Sequence, residues 1–199
     1  MASDTQPDIY LASHSPRRRE LLQQIGLPYA PLDVAVDERW DEDDSPEVFV
    51  IRVALEKARA GWAQVAGSGV GPVLGADTVV VQDGQVLGKP RDREDALGML
   101  AALSGQQHRV LTGVAMVDDR EATRLSVNRV QFRELDAREI ERYWASGEPE
   151  GKAGAYAIQG IGGVFVEHLE GSYSGVMGLP LFETADLLDE FGIDYRRHW

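Results

Sequence analysis

The sequence predicts an α/β fold in which a mixed, twisted sheet is flanked by helices. Segments with the alternation of β-strands are interspersed with segments of helical periodicity along the whole chain. Hairpin signals such as Asp83-Gly84, between VLGADTVVV and QVLGKP, argue against a purely parallel sheet. The chain has 199 residues, of which 43% are hydrophobic, so we expect a single domain over residues 1–199 with an ample core.

Helix starts are marked by Ser-Pro pairs and by acidic residues at capping spacing. A Ser-Pro pair supplies an N-cap followed by a residue whose missing N–H costs the first turn nothing. An acidic pair three residues apart supplies side chains for the first backbone N–H groups. Four such pairs predict helix starts: Ser15-Pro16, Ser45-Pro46, Asp92 with Asp95, and Asp136 with Glu139.

The predicted strands alternate apolar and polar residues and end at turn residues. The helix that follows the first of them is expected to end at Gly26, and LFETADLLDEFG is expected to form the final helix after a turn, GSYSGVMGLP. In chain order the predicted strands are IYLAS, VLGADTVVV, QVLGKP, HRVLTGVAMVDD, ATRLSVNRVQFREL and VFVEHLE.

Composition excludes several classes of function. The formal charge of −13 argues against binding to nucleic acid polymers or to anionic membranes, because both need a basic face. There is no cysteine, which excludes disulfides and thiolate metal sites. No stretch resembles a membrane span or a signal peptide, so we expect a soluble cytoplasmic protein. The oligomeric state stays open, with a homodimer as one candidate.

The segment LASHSPRRRELL places three arginines in the first turn of a predicted helix. A helix N-terminus carries partial positive charge and favours acidic residues, so this arrangement is unfavourable unless an anion binds there. Helical spacing puts Arg17 and Arg18 on the faces of Leu21 and Leu22, and Arg19 with polar residues. Two interpretations stay open: a phosphate site, or salt bridges to acidic residues of the chain.

Asp77 is a carboxylate in the middle of the apolar segment VLGADTVVV. Strand alternation aligns it with Gly75 and Val79, on a face that is expected to be buried. We expect Gly75 to leave room for a ligand or metal to approach, which would make Asp77 a base or a metal ligand. The alternative is a structural carboxylate that accepts backbone N–H bonds.

Two lysines are candidates for the same site. Counting back through a two-residue Asp83-Gly84 turn pairs Lys89 with Thr78, on the opposite face from Asp77, unless a bulge or Pro90 ends the pairing first. Lys57 follows the apolar side of a predicted helix, where it is either a functional cation or a chain that extends to solvent.

Familiar nucleotide and metal motifs are absent. GQVLGKP lacks the Ser or Thr and the spacing of a Walker A loop, IQGIGG lacks the GxGxxG order, and the four histidines have no zinc spacing. The remaining candidates are cations, carboxylates and glycine loops, which together can hold a polyphosphate with Mg²⁺.

Five segments in order resemble the motifs of the Maf nucleotide pyrophosphatases, the septum formation proteins. They are LASHSPRRRELL, GADTVV, GKPRD, KAGAYAIQGIGG and GSYSGVMGLP. The resemblance implies an elongated, two-lobed α/β fold of the inosine-triphosphate-pyrophosphatase type with a central cleft. It also implies hydrolysis of a nucleoside triphosphate to the monophosphate and pyrophosphate, assisted by a divalent metal, Mg²⁺ or Mn²⁺. The residues at 77–78 and 158–160 are similar to the branch that prefers dTTP and UTP, with modified pyrimidine nucleotides as further candidates.

The resemblance also implies roles for individual residues. Asp77 would accept the proton of the attacking water, and Arg18 and Lys89 would neutralise charge on the departing pyrophosphate. The substrate would contact Ser13, Arg17, Lys57, Thr78 and Gln159, and the metal would contact Glu38 and Asp77. The amide of Gln159 offers a donor and an acceptor, which suits the edge shared by uracil and thymine.

A second hypothesis is a non-catalytic nucleotide-binding regulator of cell division, because a fold and a site can persist without turnover. The presence of a complete set of acidic, lysine and arginine residues favours the enzyme, since a pure sensor needs no base.

Overall fold

The computed structural model describes residues 7–40, 44–67 and 71–199. Residues 1–6 lie outside the described residues. The expectation that the N-terminal segment is not a signal peptide concerns mainly these residues. No helix in the described part of the chain is long and apolar enough to cross a membrane. The strands are β1 (Ile9–Ala12), β2 (Tyr29–Pro31), β3 (Val73–Gln82), β4 (Gln85–Leu87), β5 (Gln107–Val117), β6 (Glu121–Phe132) and β7 (Val166–Glu170). The helices are α1 (Pro16–Gln24), α2 (Pro46–Val65), α3 (Arg93–Leu103), α4 (Ala137–Ala145), α5 (Tyr173–Met177) and α6 (Leu181–Glu190).

The seven strands form one mixed sheet, which confirms the predicted fold class of a mixed sheet with flanking helices. Its order is β2-β1-β3-β5-β6-β7, and β4 pairs with β3. β1 runs parallel to both β2 and β3, whereas the β3–β4 and β6–β7 pairs are antiparallel. The parallel pairs result from the helical connections α1 and α2, and the β3–β4 pair from a tight turn. Sequence reasoning missed β2, which has three residues and ends at a proline.

The helix starts follow the local signals. Ser45 accepts a hydrogen bond from the backbone of Val48, and Asp92 and Asp136 accept from the residues three positions on. Ser15 occupies the N-cap position of α1, although its side chain makes no capping hydrogen bond. Gly26 adopts a φ of 71° just beyond α1 and ends it as expected.

The chain divides into two compact units. Unit 1 comprises Met1–Asp77, Thr112–Leu125 and Gly178–Trp199, and unit 2 comprises Thr78–Leu111 and Ser126–Met177. The boundary in β3 therefore falls between Asp77 and Thr78. Most of the charged candidates belong to unit 1, whereas Thr78, Lys89 and Gln159 belong to unit 2.

In unit 1, β3 lies directly against the backbone of α2. A Cβ atom added at Gly75 would stand 2.3 Å from the carbonyl oxygen of Ala54 and 2.7 Å from the backbone nitrogen of Ala58. Such distances are far below van der Waals contact, so only glycine fits there. The expectation that Gly75 leaves room for a ligand or metal is therefore wrong, because α2 occupies that space.

In unit 2, an aromatic group surrounds a buried histidine. His108 is 2% exposed, and its Nε2 lies 2.9 Å from the hydroxyl of Tyr156. Phe132 packs edge-on against both rings, with ring centroids 4.9 Å and 4.8 Å apart. Burial lowers the pKa of His108 to about 4. The imidazole is therefore neutral in the folded protein at neutral pH.

We expect His108 to make the free energy of unfolding depend on pH. In the unfolded chain His108 is protonated with its ordinary pKa of 6.5, whereas in the folded protein its pKa is about 4. This contribution is therefore fully present above pH 6.5 and is lost as the pH falls, by about 2 kcal/mol between pH 7 and pH 5. Urea unfolding at both pH values checks this prediction. The free energy of unfolding should change less between pH 7 and pH 5 in His108→Gln than in wild type. His168→Gln, at an exposed histidine, is the control, and equal changes for wild type and His108→Gln would contradict the prediction.

Candidate active site

The first turn of α1 contains three arginines and no acidic residue, as the sequence predicts. Arg18 is the most deeply placed of them, with 9% of its surface exposed. Arg17 and Arg19 are both half-buried, so burial does not separate these two as helical spacing predicted. Burial lowers the pKa of Arg17, and the charge of Glu20 acts in the opposite direction. The helix therefore carries one buried cation with half-buried ones beside it.

Arg18 is held by neutral oxygen atoms. Its Nε donates to the carbonyl oxygen of Gly178 at 2.7 Å, and Nη1 donates to Oγ of Ser13 at 3.1 Å. Burial lowers the pKa of the guanidinium, while the negative charges of Asp77 and Glu38 raise it. These hydrogen bonds fix the direction of the guanidinium plane, which matters because a planar fork binds phosphate in a defined orientation.

Asp77 and Glu38 share one ammonium group. Nζ of Lys57 lies 2.8 Å from Oδ1 of Asp77 and 2.7 Å from Oε1 of Glu38. The side chains of Lys57 and Asp77 are only 11% and 13% exposed, whereas that of Glu38 is 41% exposed. Neither of the two interpretations of Asp77 anticipated this contact, in which the carboxylate is ion-paired with a lysine side chain. Lys57, for which the resemblance implies contact with substrate, contacts these two carboxylates in the structure.

Local geometry explains why these side chains meet. Lys57 lies on the buried face of α2 together with Ala54 and Ala58, the residues that contact Gly75. Asp77 is two residues beyond Gly75 in β3 and therefore points to the same face, towards α2. The parallel register pairs Ala12 of β1 with Gly75 of β3. Ser13, the next residue along the chain, therefore lies beside Ala76, one residue before Asp77.

Unit 1 thus brings together most of the predicted site residues. Contacts link Ser13 to Arg18 and link Lys57 to both Glu38 and Asp77, while the charges of the two acids act on Arg18. The predicted residues gathered in this unit are Ser13, Arg17, Arg18, Glu38, Lys57 and Asp77.

The remaining predicted residues lie in unit 2. Thr78 directly follows Asp77 and is half-buried, and Gln159 is exposed. The β3–β4 ladder pairs Val80 with Leu87 and stops there, so Lys89 lies beyond the paired region and is exposed. The Asp83-Gly84 turn is confirmed by φ angles of 49° and 80°. Because the β3–β4 pairing ends at Leu87, the strand register does not place Lys89 on the opposite face from Asp77.

Sequence reasoning missed one participant of the site, the carbonyl of Gly178. It accepts the hydrogen bond from Arg18 at a separation of 160 residues. A backbone carbonyl has no residue-type signal, and only its position in the segment GSYSGVMGLP associates it with the other motifs.

The donor set of unit 1 can hold a hard divalent cation. Across the part of the chain that the structure describes, no cluster of three or more His, Cys, Asp and Glu residues forms a metal site. Glu38 and Asp77 are instead two carboxylates gathered around one ammonium. Mg²⁺ is typically bound by one or two carboxylates and completes its coordination with phosphate oxygens and water, so these residues fit it.

Together these residues provide the elements of a hydrolytic site for an anion. A buried guanidinium attracts negative charge, and a largely buried carboxylate held by an ammonium can accept a proton from water.

Comparisons with known proteins identify relatives over the whole chain. A family model described as Maf-like protein matches residues 8–191. A dTTP/UTP pyrophosphatase of Alkalilimnicola ehrlichii is 68% identical over 202 residues, covering 100% of both chains. A protein of the same name from Bordetella avium is 53% identical and covers 94% of this chain and 96% of its own. Among solved structures, a nucleoside-triphosphatase / dITP/XTP pyrophosphatase of Mycobacterium abscessus has a TM-score of 0.39 at 17% identity, covering 62% and 72% of the two chains. That score is too low to carry an argument.

Proposed function

The chain belongs to the Maf family, and on that premise we propose that it is a nucleoside triphosphate pyrophosphatase acting on dTTP and UTP. The products are the nucleoside monophosphate and pyrophosphate. The observation that carries the proposal is the position of a buried Arg18 beside the ion-paired Asp77. The name and the identity of the relatives support the choice of substrate.

Arg18 and Arg17 bind the phosphate chain at the N-terminus of α1. A helix N-terminus is favourable for phosphate, and the missing negative charge of this first turn arrives with the substrate. Ser13 and Gly178 hold the Arg18 guanidinium in a fixed direction, so little ordering is needed when the substrate binds.

Asp77 accepts a proton from the water that attacks the α-phosphorus. The water oxygen forms a bond to that phosphorus while the bond to the oxygen bridging to the β-phosphorus breaks, and pyrophosphate leaves with the electron pair of that bond. Lys57 keeps the Asp77 carboxylate in position through its ion pair. Lys89 neutralises charge on the departing pyrophosphate, as the sequence predicts.

Glu38 and Asp77 are the residues that would hold Mg²⁺ or Mn²⁺. A bound divalent cation supplies charge neutralisation for the phosphate oxygens. In the structure Nζ of Lys57 contacts one oxygen atom of each carboxylate, so a bound cation would take the place of this ammonium or use the other oxygen atoms.

Gln159 and Thr78 contact the nucleoside. The Gln159 side chain is exposed and carries both a hydrogen-bond donor and an acceptor. The O4 and N3–H edge that uracil and thymine share is matched by such a pair, and cytosine, which presents the opposite pattern, is matched only if the amide turns by 180°.

A panel of nucleoside triphosphates with Mg²⁺ and with Mn²⁺ tests the proposal by scoring pyrophosphate against orthophosphate. We expect pyrophosphate release from dTTP and UTP and much less from CTP. Orthophosphate alone would mean cleavage at the γ-phosphorus and would contradict the proposed reaction. Binding of dTTP without turnover would instead support the non-catalytic regulator.

A further inference from the structure

A carboxylate outside the residues discussed so far organises the glycine-rich segment around Gln159. Oε1 of Glu148 accepts hydrogen bonds from the hydroxyl of Tyr143 at 2.7 Å and from the backbone nitrogen of Gly162 at 2.9 Å. Oε2 of the same side chain accepts from the backbone nitrogen of Ile161 at 2.9 Å. All these residues belong to unit 2. One side chain thus satisfies two consecutive backbone N–H groups.

Tyr143 ties the other end of the segment to the same carboxylate. Its hydroxyl donates to Glu148 and accepts a hydrogen bond from the backbone nitrogen of Ala157 at 3.1 Å. The ring is 3% exposed and packs edge-on against Phe165, with centroids 4.8 Å apart. The anchor of this network therefore lies in the core of unit 2.

Two of the three glycines of QGIGG are required by this arrangement. A Cβ atom at Gly160 would stand 2.2 Å from Oε2 of Glu148, and one at Gly162 would stand 2.6 Å from the hydroxyl of Tyr143. No side chain fits at either position while the hydrogen bonds are kept. The segment that fails as a dinucleotide-binding motif is thus a backbone turn built around a carboxylate.

Gln159 lies between the tethered positions. Ala157 is bonded to Tyr143, and Ile161 and Gly162 are bonded to Glu148. The turn is closed by a hydrogen bond from the nitrogen of Gly160 to the carbonyl oxygen of Ala157 at 3.2 Å. The backbone on both sides of Gln159 is therefore held, while its own side chain is exposed.

Glu148 is suited to act as an ionised acceptor. Burial raises the pKa of its carboxyl, but the hydrogen bonds from Gly162, Tyr143 and Ile161, together with the charge of Lys152, lower it further than burial raises it. An ionised carboxylate accepts at both oxygens and has no proton to donate, which matches three donors converging on it.

We propose that Glu148 is a positioning residue for base recognition, acting through the turn that presents Gln159. This inference rests on the proposed function, in which Gln159 contacts the pyrimidine. By holding the turn before substrate arrives, Glu148 removes the cost of ordering it on binding. Its effect therefore falls on the choice and the binding of the base rather than on the chemical step.

Glu148→Gln tests the proposal because it keeps the shape but replaces one acceptor oxygen by an NH₂ group. Whichever way the amide turns, at least one of the donors from Tyr143, Ile161 and Gly162 loses its acceptor. We expect the KM for UTP to rise about tenfold and the preference for UTP over CTP, measured as kcat/KM, to fall about tenfold, whereas kcat changes by no more than about threefold. Glu150→Gln, at an exposed glutamate two residues on, is the matched control with unchanged kinetics.

Two further measurements keep the test decisive if Glu148→Gln folds poorly. Tyr143→Phe keeps the buried ring and removes only the hydroxyl, and we expect it to weaken the UTP preference in the same direction. Hydrogen exchange in the substrate-free protein should be faster in Glu148→Gln at the amide of Ile161 or of Gly162, whichever loses its acceptor, and at the amide of Ala157 in Tyr143→Phe.

The outcomes separate this inference from the proposed function. A wild-type chain that releases no pyrophosphate from dTTP or UTP contradicts the proposed function. An active wild type whose Glu148→Gln or Tyr143→Phe variant melts at a lower temperature but keeps its preference for UTP contradicts the positioning role alone. Unchanged exchange at the Ile161 and Gly162 amides in Glu148→Gln would contradict it as well.

Discussion

Asp77→Asn is expected to abolish pyrophosphate release from dTTP, with kcat falling by about 10³-fold or more, as for the loss of a general base. Asparagine matches the shape of aspartate but does not accept the proton of the attacking water. Nucleotide binding should persist, because Arg18 with its Ser13 and Gly178 contacts is unchanged. Pyrophosphate release and calorimetric binding of a non-hydrolysable dTTP analogue measure the two effects separately.

Asp83→Asn is the matched control for Asp77→Asn. Asp83 is exposed in the turn of the same hairpin, with a φ of 49° that asparagine tolerates well. This variant should have wild-type kinetics. A fully active Asp77→Asn would refute the role proposed for the carboxylate, and a loss of binding in proportion to turnover would indicate that Asp77 serves the nucleotide rather than the water.

Arg18→Ala has the second largest expected effect, a fall in kcat/KM of about 10²- to 10³-fold, as for removal of one preorganised donor to developing charge. The variant removes a buried guanidinium and leaves the carbonyl of Gly178 without its 2.7 Å donor. Some loss of stability is expected for that reason. Urea unfolding and steady-state kinetics on the same preparation separate the two consequences.

Two neighbouring variants make the Arg18 result specific. Arg18→Lys keeps the charge but loses the planar fork, so we expect it to recover only part of the activity. Arg19→Ala changes the next residue of α1 and should leave kcat/KM near the wild-type value. Unchanged kinetics in Arg18→Ala would contradict the proposed phosphate site at the start of α1.

Local rules predict much of this fold from the sequence. The Asp92 and Asp136 caps and the Ser45-Pro46 start each depend on residues within one turn, and the structure confirms them. The Asp-Gly pair at 83–84 predicts the hairpin because both residues tolerate positive φ angles, which the structure shows. Such signals are readable because the cause and its effect lie a few residues apart.

Elements stabilised only by tertiary pairing were less accessible. β2 has three residues and gains its hydrogen bonds from β1, so no pattern of its own indicates it. The segment GSYSGVMGLP was expected to be a turn, yet it contains the helix α5 over Tyr173–Met177. A five-residue helix is too short to show the periodicity on which helix prediction depends.

The site shows the same division. The residue types were identified from motifs, but the ion pair of Lys57 with Asp77 joins a helix to a strand 20 residues away. Sequence reasoning left open whether Lys57 extends to solvent, and only packing of α2 on β3 decides that it does not. The roles of all these site residues stay predictions that the proposed kinetics will test.

The absence of a side chain at Gly75 affects the geometry of the neighbouring ion pair, although Gly75 has no polar side chain of its own. Because Gly75 has no side chain, β3 contacts the backbone of α2 directly. This close packing sets the distance between the Asp77 carboxylate and the Lys57 ammonium. Even alanine at this position would wedge the two elements apart and increase that distance. In the proposed mechanism, a change of one carbon atom at Gly75 would therefore alter the reaction without replacing any reactive side chain.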